Sequence, residues 1–324
     1  MNHPRVLFAG TPVFARASLE ALLRAGIKPI TVLTQPDRPA GRGKQLTASP
    51  VKECALEAGI PVMQPATLKD ADVVAQLEAL EPDIMIVAAY GLILPQNVLD
   101  IPTKGRLNVH ASLLPAWRGA APIQAAILAG DARTGISLMA MTAGLDCGPV
   151  YIDEAIEIGP DESAGELHDR LAELGGGLLA ANLDAILEGR LEAVEQDESL
   201  ASYAGKIRTA DAKLDFSKPA TDLERQVRAL SAVLLAADHP FRELDRDSSL
   251  ALFHEDDHHQ QGDEEQDHAD QPAHAGVLAD QCALVRQRAH DRHEDDERHA
   301  VADAVLGDEL THPHQERGAG GQRE

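Results

Sequence analysis

The sequence lacks any run close to the ~18 consecutive apolar residues needed to cross a bilayer. Its N-terminus, Met1-Asn2-His3-Pro4-Arg5, leads into an apolar stretch that Arg16 and Glu20 soon interrupt. Neither a membrane span nor a secretory leader is expected, and a cytoplasmic protein is. Cysteine is scarce: Cys54, Cys147 and Cys282 stand apart with no CxxC pair, which fits a reducing compartment without disulfides. Basic charge is also short, with 29 Lys and Arg against 53 Asp and Glu and a formal net charge of −24. Non-specific phosphate binding needs clustered cations, so a polyanion must be met by a local basic patch. Phe8-Ala9-Gly10-Thr11-Pro12 holds a single glycine. It is not a GxGxxG fingerprint, and no nicotinamide or flavin cofactor is expected.

What remains is a globular composition, 44% apolar and 25% charged over 324 residues, room for one large domain or two ordinary ones. The composition breaks near residue 229. Residues 1–229 hold 21 basic and 30 acidic side chains, whereas residues 230–324 hold 8 and 23, with 11 of the 14 histidines and no lysine. Stretches such as His254 to Glu265 carry too little apolar area to offset chain entropy, so this acidic tail is expected to be disordered. His254 with His258 and His290 with His293 invite a metal reading. Their spacing is irregular and no closed ligand set appears, so no metal is expected.

Before the break, short apolar runs alternate with amphipathic segments. Strands are predicted at Arg5–Ala9, Pro29–Thr34, Pro61–Gln64, Ile84–Ala88, Arg106–His110, Gly135–Met141 and Tyr151–Ile158. Helices are predicted at Val13–Ala25, after Ser49-Pro50, at Asp70–Leu80 and Ala121–Leu128, and from the capping box Ser163-Ala164-Gly165-Glu166 towards Leu187. Such alternation predicts an α/β fold with a doubly wound, mostly parallel sheet over residues 1–190. A polar connector follows over 191–220. A second capping box, Thr221-Asp222-Leu223-Glu224, predicts a helix over 221–229.

Asn108 and His110 lie two apart at the end of a predicted strand, so both point to one face. In a parallel sheet the ligand crevice lies outside the carboxyl ends of the strands. Thr142-Ala143-Gly144-Leu145-Asp146-Cys147-Gly148 follows the next predicted strand, expected at the same end, which would bring Asp146 to face His110. An amide, an imidazole and a carboxylate without a Ser or Cys nucleophile suit transfer between two bound substrates. The first two donate to an oxyanion while the carboxylate orients the imidazole. Spacing alone leaves open that Asn108 and His110 only satisfy backbone groups at a strand end. Cys147, beside Asp146, reads as a small buried side chain rather than a nucleophile.

Five blocks carry a resemblance: Phe8–Pro12, Gln35–Lys44, Asn108-Val109-His110-Ala111-Ser112-Leu113-Leu114-Pro115, Trp117–Ile123 and Gly144-Leu145-Asp146-Cys147-Gly148. Together they resemble the methionyl-tRNA formyltransferases, almost unbroken from residue 5 to about 229. Asn-x-His with a later Gly-Leu-Asp is shared with the wider 10-formyltetrahydrofolate transferases; the Gln35–Lys44 loop and the connector Ala204–Asp211 narrow the likeness to the tRNA enzymes. The resemblance implies a Rossmann-like formyltransferase domain that uses 10-formyltetrahydrofolate as co-substrate and methionyl initiator tRNA as acceptor. It implies that Asn108, His110 and Asp146 are catalytic, with Asp146 keeping His110 charged, and that Ser112, Leu113, Leu114 and Pro115 help to form the folate site. Pro36 to Lys44, with three cations, two prolines and two glycines, is predicted to be neither helix nor strand but an exposed basic arm. Through it, Arg38, Arg42 and Lys44 are expected to meet the acceptor stem, with Lys206, Arg208 and Lys213 extending the patch. The chain is expected to act as a monomer.

The resemblance implies a C-terminal β-barrel opened by Lys213-Leu214-Asp215-Phe216, yet residues 230–324 lack the alternating apolar runs of a barrel. A shifted reading frame explains so abrupt a change; a natural acidic extension is the alternative. Fifteen net negative charges in place of a barrel are expected to weaken tRNA binding. Two other readings stay open: a formyltransferase acting on a small amine, and an inactive folate- or tRNA-binding remnant.

Overall fold

A computed structural model describes residues 4–40 and 45–237. The first half holds β1 (Val6–Gly10), α1 (Val13–Arg24), β2 (Thr31–Leu33), β3 (Arg38–Ala40), β4 (Gln45–Thr47), α2 (Pro50–Glu57), β5 (Val62–Met63), α3 (Ala71–Ala79), β6 (Ile84–Ala88) and α4 (Gln96–Leu99). The second adds β7 (Arg106–His110), β8 (Arg118–Gly119), α5 (Pro122–Ala129), β9 (Arg133–Ala140), β10 (Val150–Glu157), α6 (Ala164–Leu187), β11 (Tyr203–Ala204) and α7 (Ala220–Ala237). Seven strands form one sheet in the order β10-β9-β7-β6-β1-β2-β5. Strands β7, β6, β1, β2 and β5 run parallel.

Why β1 is apolar at every position follows from where its side chains go. Val6 and Phe8 join Leu19, Leu22, Val51, Leu171 and Leu179 on one side of the sheet. Leu7 and Ala9 join Leu68, Val74, Leu77 and Val98 on the other. With helices on both faces, neither set meets water, as the doubly wound expectation requires.

Helix α6 shows which effects place an element and which hold it. Its start is set by the predicted capping box: Glu166 N–H donates to Ser163 Oγ at 3.3 Å, and Ser163 N–H donates to Glu166 Oε2 at 2.8 Å. The N–H donated by Ser163 holds the Glu166 carboxyl below the usual carboxylate range. A cap contributes only about 1 kcal/mol. The buried Leu167, Leu171, Leu178, Leu179, Leu183 and Ile186 contribute about 1.5–3 kcal/mol each, so burial decides whether the helix forms. Gly175 and Gly176 let it lie close: a Cβ at 175 would meet Val109 Cγ1 at 2.9 Å, and one at 176 the Ala17 carbonyl oxygen at 2.9 Å.

Three expectations are corrected. Strand β9 runs antiparallel to β7, with Leu107 opposite Ala140 and His110 opposite Ser137. The segment after β9 therefore leaves beside the start of β7, not its carboxyl end. Within the basic arm, Arg38–Ala40 is a strand paired antiparallel with Gln45–Thr47, because backbone pairing needs no apolar pattern; Arg42 and Lys44 lie outside the described residues. Helix α7 begins at Ala220, and Leu223 N–H donates to the Pro219 carbonyl at 3.2 Å. Thr221 therefore sits inside the first turn and does not cap it. The helix also continues past residue 229 to Ala237. The rest of the acidic tail, including His254, His258, His290 and His293, lies outside the described residues.

Residues 191–214 belong to the same compact unit as the sheet. Strand β11 pairs parallel with β8, and Val194 bridges Val150. Asp215–Glu224 falls in a second unit, where Ser217 donates to Asp215 Oδ1 from its N–H at 3.0 Å and its Oγ at 2.7 Å.

Candidate active site

Strand β7 presents Asn108 and His110 on one face, at 8% and 6% exposure. The imidazole Nε2 lies 3.1 Å from the Trp117 carbonyl oxygen. A carbonyl only accepts, so this nitrogen carries the hydrogen, which turns Nδ1 towards Asp146 Oδ2 at 3.7 Å. The Asn108 amide donates to Asp146 Oδ1 at 3.4 Å. Both distances exceed the usual ~2.9 Å of an N–H···O bond.

Asp146 reaches this position although β9 runs the opposite way, because the connection between β9 and β10 turns back. At the turn Asp146 adopts φ +49°, a left-handed conformation that costs a residue with a side chain about 1–3 kcal/mol and persists only where neighbours hold it. Three hydrogen bonds supply that hold. Gly119 N–H donates to Asp146 Oδ2 at 2.9 Å. Gln196 Nε2 donates to the carbonyl oxygens of Asp146 at 2.9 Å and Gly148 at 2.7 Å. Gly119 itself has φ +112°, and a Cβ there would stand 2.5 Å from the Ala204 carbonyl oxygen, so only glycine fits.

Ser112 to Pro115 forms the turn that follows β7. Ser112 is fully buried, and its hydroxyl donates to the Ala116 carbonyl at 2.6 Å. From β9, Ser137 Oγ donates to the Ser112 carbonyl at 2.8 Å and accepts from Leu114 N–H at 3.0 Å. Leu113, Leu114 and Pro115 are half-buried. The turn is thus pinned to the sheet, with its apolar residues partly open. Cys147, expected to be buried, is half-buried, with Sγ 3.5 Å from Thr142 Oγ1.

The basic hairpin is tied at its base. Arg38 donates to Gln35 Oε1, and Gln35 Nε2 donates to the Tyr90 carbonyl at 3.1 Å. Lys52 pairs with Asp37 Oδ2, and Gln64 Nε2 donates to Asp37 Oδ1 at 2.7 Å. The Lys52 ammonium, then the Gln64 amide, holds the Asp37 carboxyl below the usual carboxylate range. Lys206 and Lys213 are exposed. Arg208 is exposed too, with Nη2 3.6 Å from Asp211 Oδ1.

The structure brings Asn108, His110 and Asp146 together as expected, but through a connection that turns back from the far end of β9 rather than through a shared strand end. It adds residues that sequence reasoning did not assign: Gly119 and Trp117 through their backbones, Ser137, Arg118 and Gln196. Trp117 to Gly119 stand inside a motif block, but Gln196 has no local signal. Among the described residues no cluster of three or more His, Cys, Asp or Glu could hold a metal ion, and no helix is long and apolar enough to cross a membrane.

Similarity to known proteins now bears on this arrangement. A family model described as formyl transferase matches residues 4–183. A Pseudomonas fluorescens protein named methionyl-tRNA formyltransferase is 54% identical over 232 residues, covering 71% of this chain and 73% of its own. A Nitrosomonas eutropha protein of the same name is 52% identical over 227 residues, covering 70% and 72%. Among solved structures, an N-formyltransferase from Helicobacter canadensis, in complex with folinic acid and dTDP-3-aminofucose, superposes with a TM-score of 0.56 at 22% identity, covering 70% of this chain and 80% of its own. A sugar N-formyltransferase from Shewanella sp. does so with 0.56 at 16%, covering 71% and 89%. These two likenesses speak for the fold alone. With its doubly wound sheet, its matched domain and relatives identical at more than half of the aligned positions, the chain belongs to the methionyl-tRNA formyltransferase family.

Proposed function

We propose that the protein transfers the formyl group of 10-formyltetrahydrofolate to the α-amino group of methionyl initiator tRNA. The observation that carries this reading is the meeting of two N–H donors and one carboxylate, Asn108, His110 and Asp146, at one buried point, in a chain of this family. The donor set fits a formyl carbonyl. One Asn108 amide N–H donates to the negative charge that develops on its oxygen, His110 exchanges its Nε2–H bond to the Trp117 carbonyl for one to that same oxygen, and Asp146 orients the ring and accepts the proton released as the amine attacks. One C–N bond forms as the bond to folate N10 breaks, and that nitrogen recovers a proton. No residue is acylated, so positioning and charge stabilisation supply the rate. Ser112 to Pro115 offers a pinned, partly apolar wall for the folate. Arg38, Arg42, Lys44 and Lys206 contact phosphates of the acceptor stem, and the reaction is cytoplasmic.

Single-turnover transfer from 10-formyltetrahydrofolate to methionyl initiator tRNA tests the proposal. His110→Ala and Asp146→Ala are expected to slow it by about 10²–10³; near wild-type rates in either refute these roles. Filter binding against a relative with an intact barrel is expected to show weaker tRNA binding by this chain, whose residues 230–324 carry 23 acidic against 8 basic side chains. Equal affinity contradicts that part.

A further inference from the structure

An arginine beside the site of an enzyme that handles nucleic acid invites a phosphate-binding role. Arg118 is placed otherwise. It is 1% exposed, and each of its donors is taken. Nε and Nη2 donate to Gln196 Oε1 at 3.0 and 2.8 Å. Nη1 and Nη2 donate to the two carboxylate oxygens of Glu198 at 2.9 and 2.8 Å. Nη1 also reaches Tyr203 Oη at 3.4 Å. A guanidinium has five N–H bonds, so nothing remains for a substrate.

What Arg118 does is orient Gln196. The carboxamide oxygen faces the guanidinium, which fixes the flip of the amide and sends both N–H bonds the other way. They end on the carbonyl oxygens of Asp146 and Gly148, on either side of Cys147, at the turn where Asp146 is held at φ +49°. We infer that Arg118 and Gln196 are positioning residues: a buried guanidinium–carboxamide clamp that holds the Asp146 turn so that its carboxylate meets Asn108 and His110. The inference rests on the role proposed above for Asp146. Neither residue touches substrate; both act through the backbone of residues 146 and 148.

Gln196→Glu in the full chain separates positioning from folding. The carboxylate keeps its pairing with Arg118 but offers no N–H to the two carbonyls. Formyl transfer by this variant is expected to lose about 10²-fold in kcat, the cost of misplacing a reacting group by about 1 Å. KM for both substrates is expected to stay near wild type, and the melting temperature to fall by only a few degrees, leaving the protein folded under assay conditions. Arg118→Lys, which keeps the charge but not the fork, is expected to show the same split. Loss of kcat that follows loss of folded protein in both variants overturns the inference. So does Gln196→Glu turning over within about twofold of wild type while Asp146→Asn is inactive. If Asp146→Asn itself turns over like wild type, the role proposed for Asp146 falls instead. The ring-proton NMR signal of His110 reads the contact without turnover. Gln196→Glu is expected to move it in the direction seen in Asp146→Asn, and an unmoved signal overturns the clamp.

Discussion

Two polar regions of the molecule are built in opposite ways. Around Asp146, buried groups are fixed by partners far along the chain: Gly119 is 27 positions away, Asn108 38 and Gln196 50. In the β3–β4 hairpin, by contrast, the strand Gln45–Thr47 is exposed throughout, with Leu46 at 72%, and the anchoring lies at the base, through Asp37, Lys52 and Gln64. The first arrangement suits a group that must stand within a fraction of an ångström of a reacting atom. The second suits capture of a large charged partner, where long-range attraction counts for more than fixed geometry. Damage to the first should therefore appear in kcat, and damage to the second in tRNA affinity and its salt dependence.

The largest effect expected is from Asn108→Ala, which removes one of the two donors proposed for the developing charge. A loss of about 10²–10³ in kcat with little change in KM, measured by single-turnover transfer, is expected. Gly119→Ala comes next and tests the scaffold. Its new Cβ would stand 2.5 Å from the Ala204 carbonyl oxygen, at a φ of +112°. Thermal melting is expected to report a loss of about 1–3 kcal/mol together with reduced turnover, since the same residue's N–H holds Asp146.

Smaller effects are expected at the hairpin. Asp37→Asn breaks the pair with Lys52, and filter binding is expected to show weaker tRNA affinity with an unchanged single-turnover rate at saturation. Because Lys52 depresses the folded-state value of Asp37, its stabilisation is present at neutral pH and lost as the pH falls through that lowered value. Urea unfolding is expected to separate wild type from Asp37→Asn by about 1 kcal/mol or less near pH 7, with the gap closing in acid. Ser163→Ala, in neither region, is expected to cost about 1 kcal/mol, a fall of about 2–4 °C in melting temperature, with turnover unaltered.

Much of the architecture was legible before any coordinates. The apolar run Ile84–Ala88 and the alternating Arg106–His110 have bounds that match β6 and β7, and the Ser163–Glu166 box marks the start of α6. Direction was not legible, since an apolar run reads the same whichever way its neighbour runs, and β9 proved antiparallel to β7. The pairing of Arg38–Ala40 with Gln45–Thr47 was hidden because an exposed two-stranded ribbon needs no buried face. At the site, Asn108 and His110 were visible through the alternation of one strand. Gln196 was not, because its importance lies in two carbonyl groups that only the folded chain brings to it.

Gly175 stands behind all of this. Val109, between Asn108 and His110, turns its Cγ1 towards α6 at a spot where one added methyl group would stand 2.9 Å away. The helix is thus a backstop for β7, seated without clearance. A residue with no polar atom in its side chain sets how far forward the amide and the imidazole can stand, and a single carbon gained there would be felt on the opposite side of the sheet.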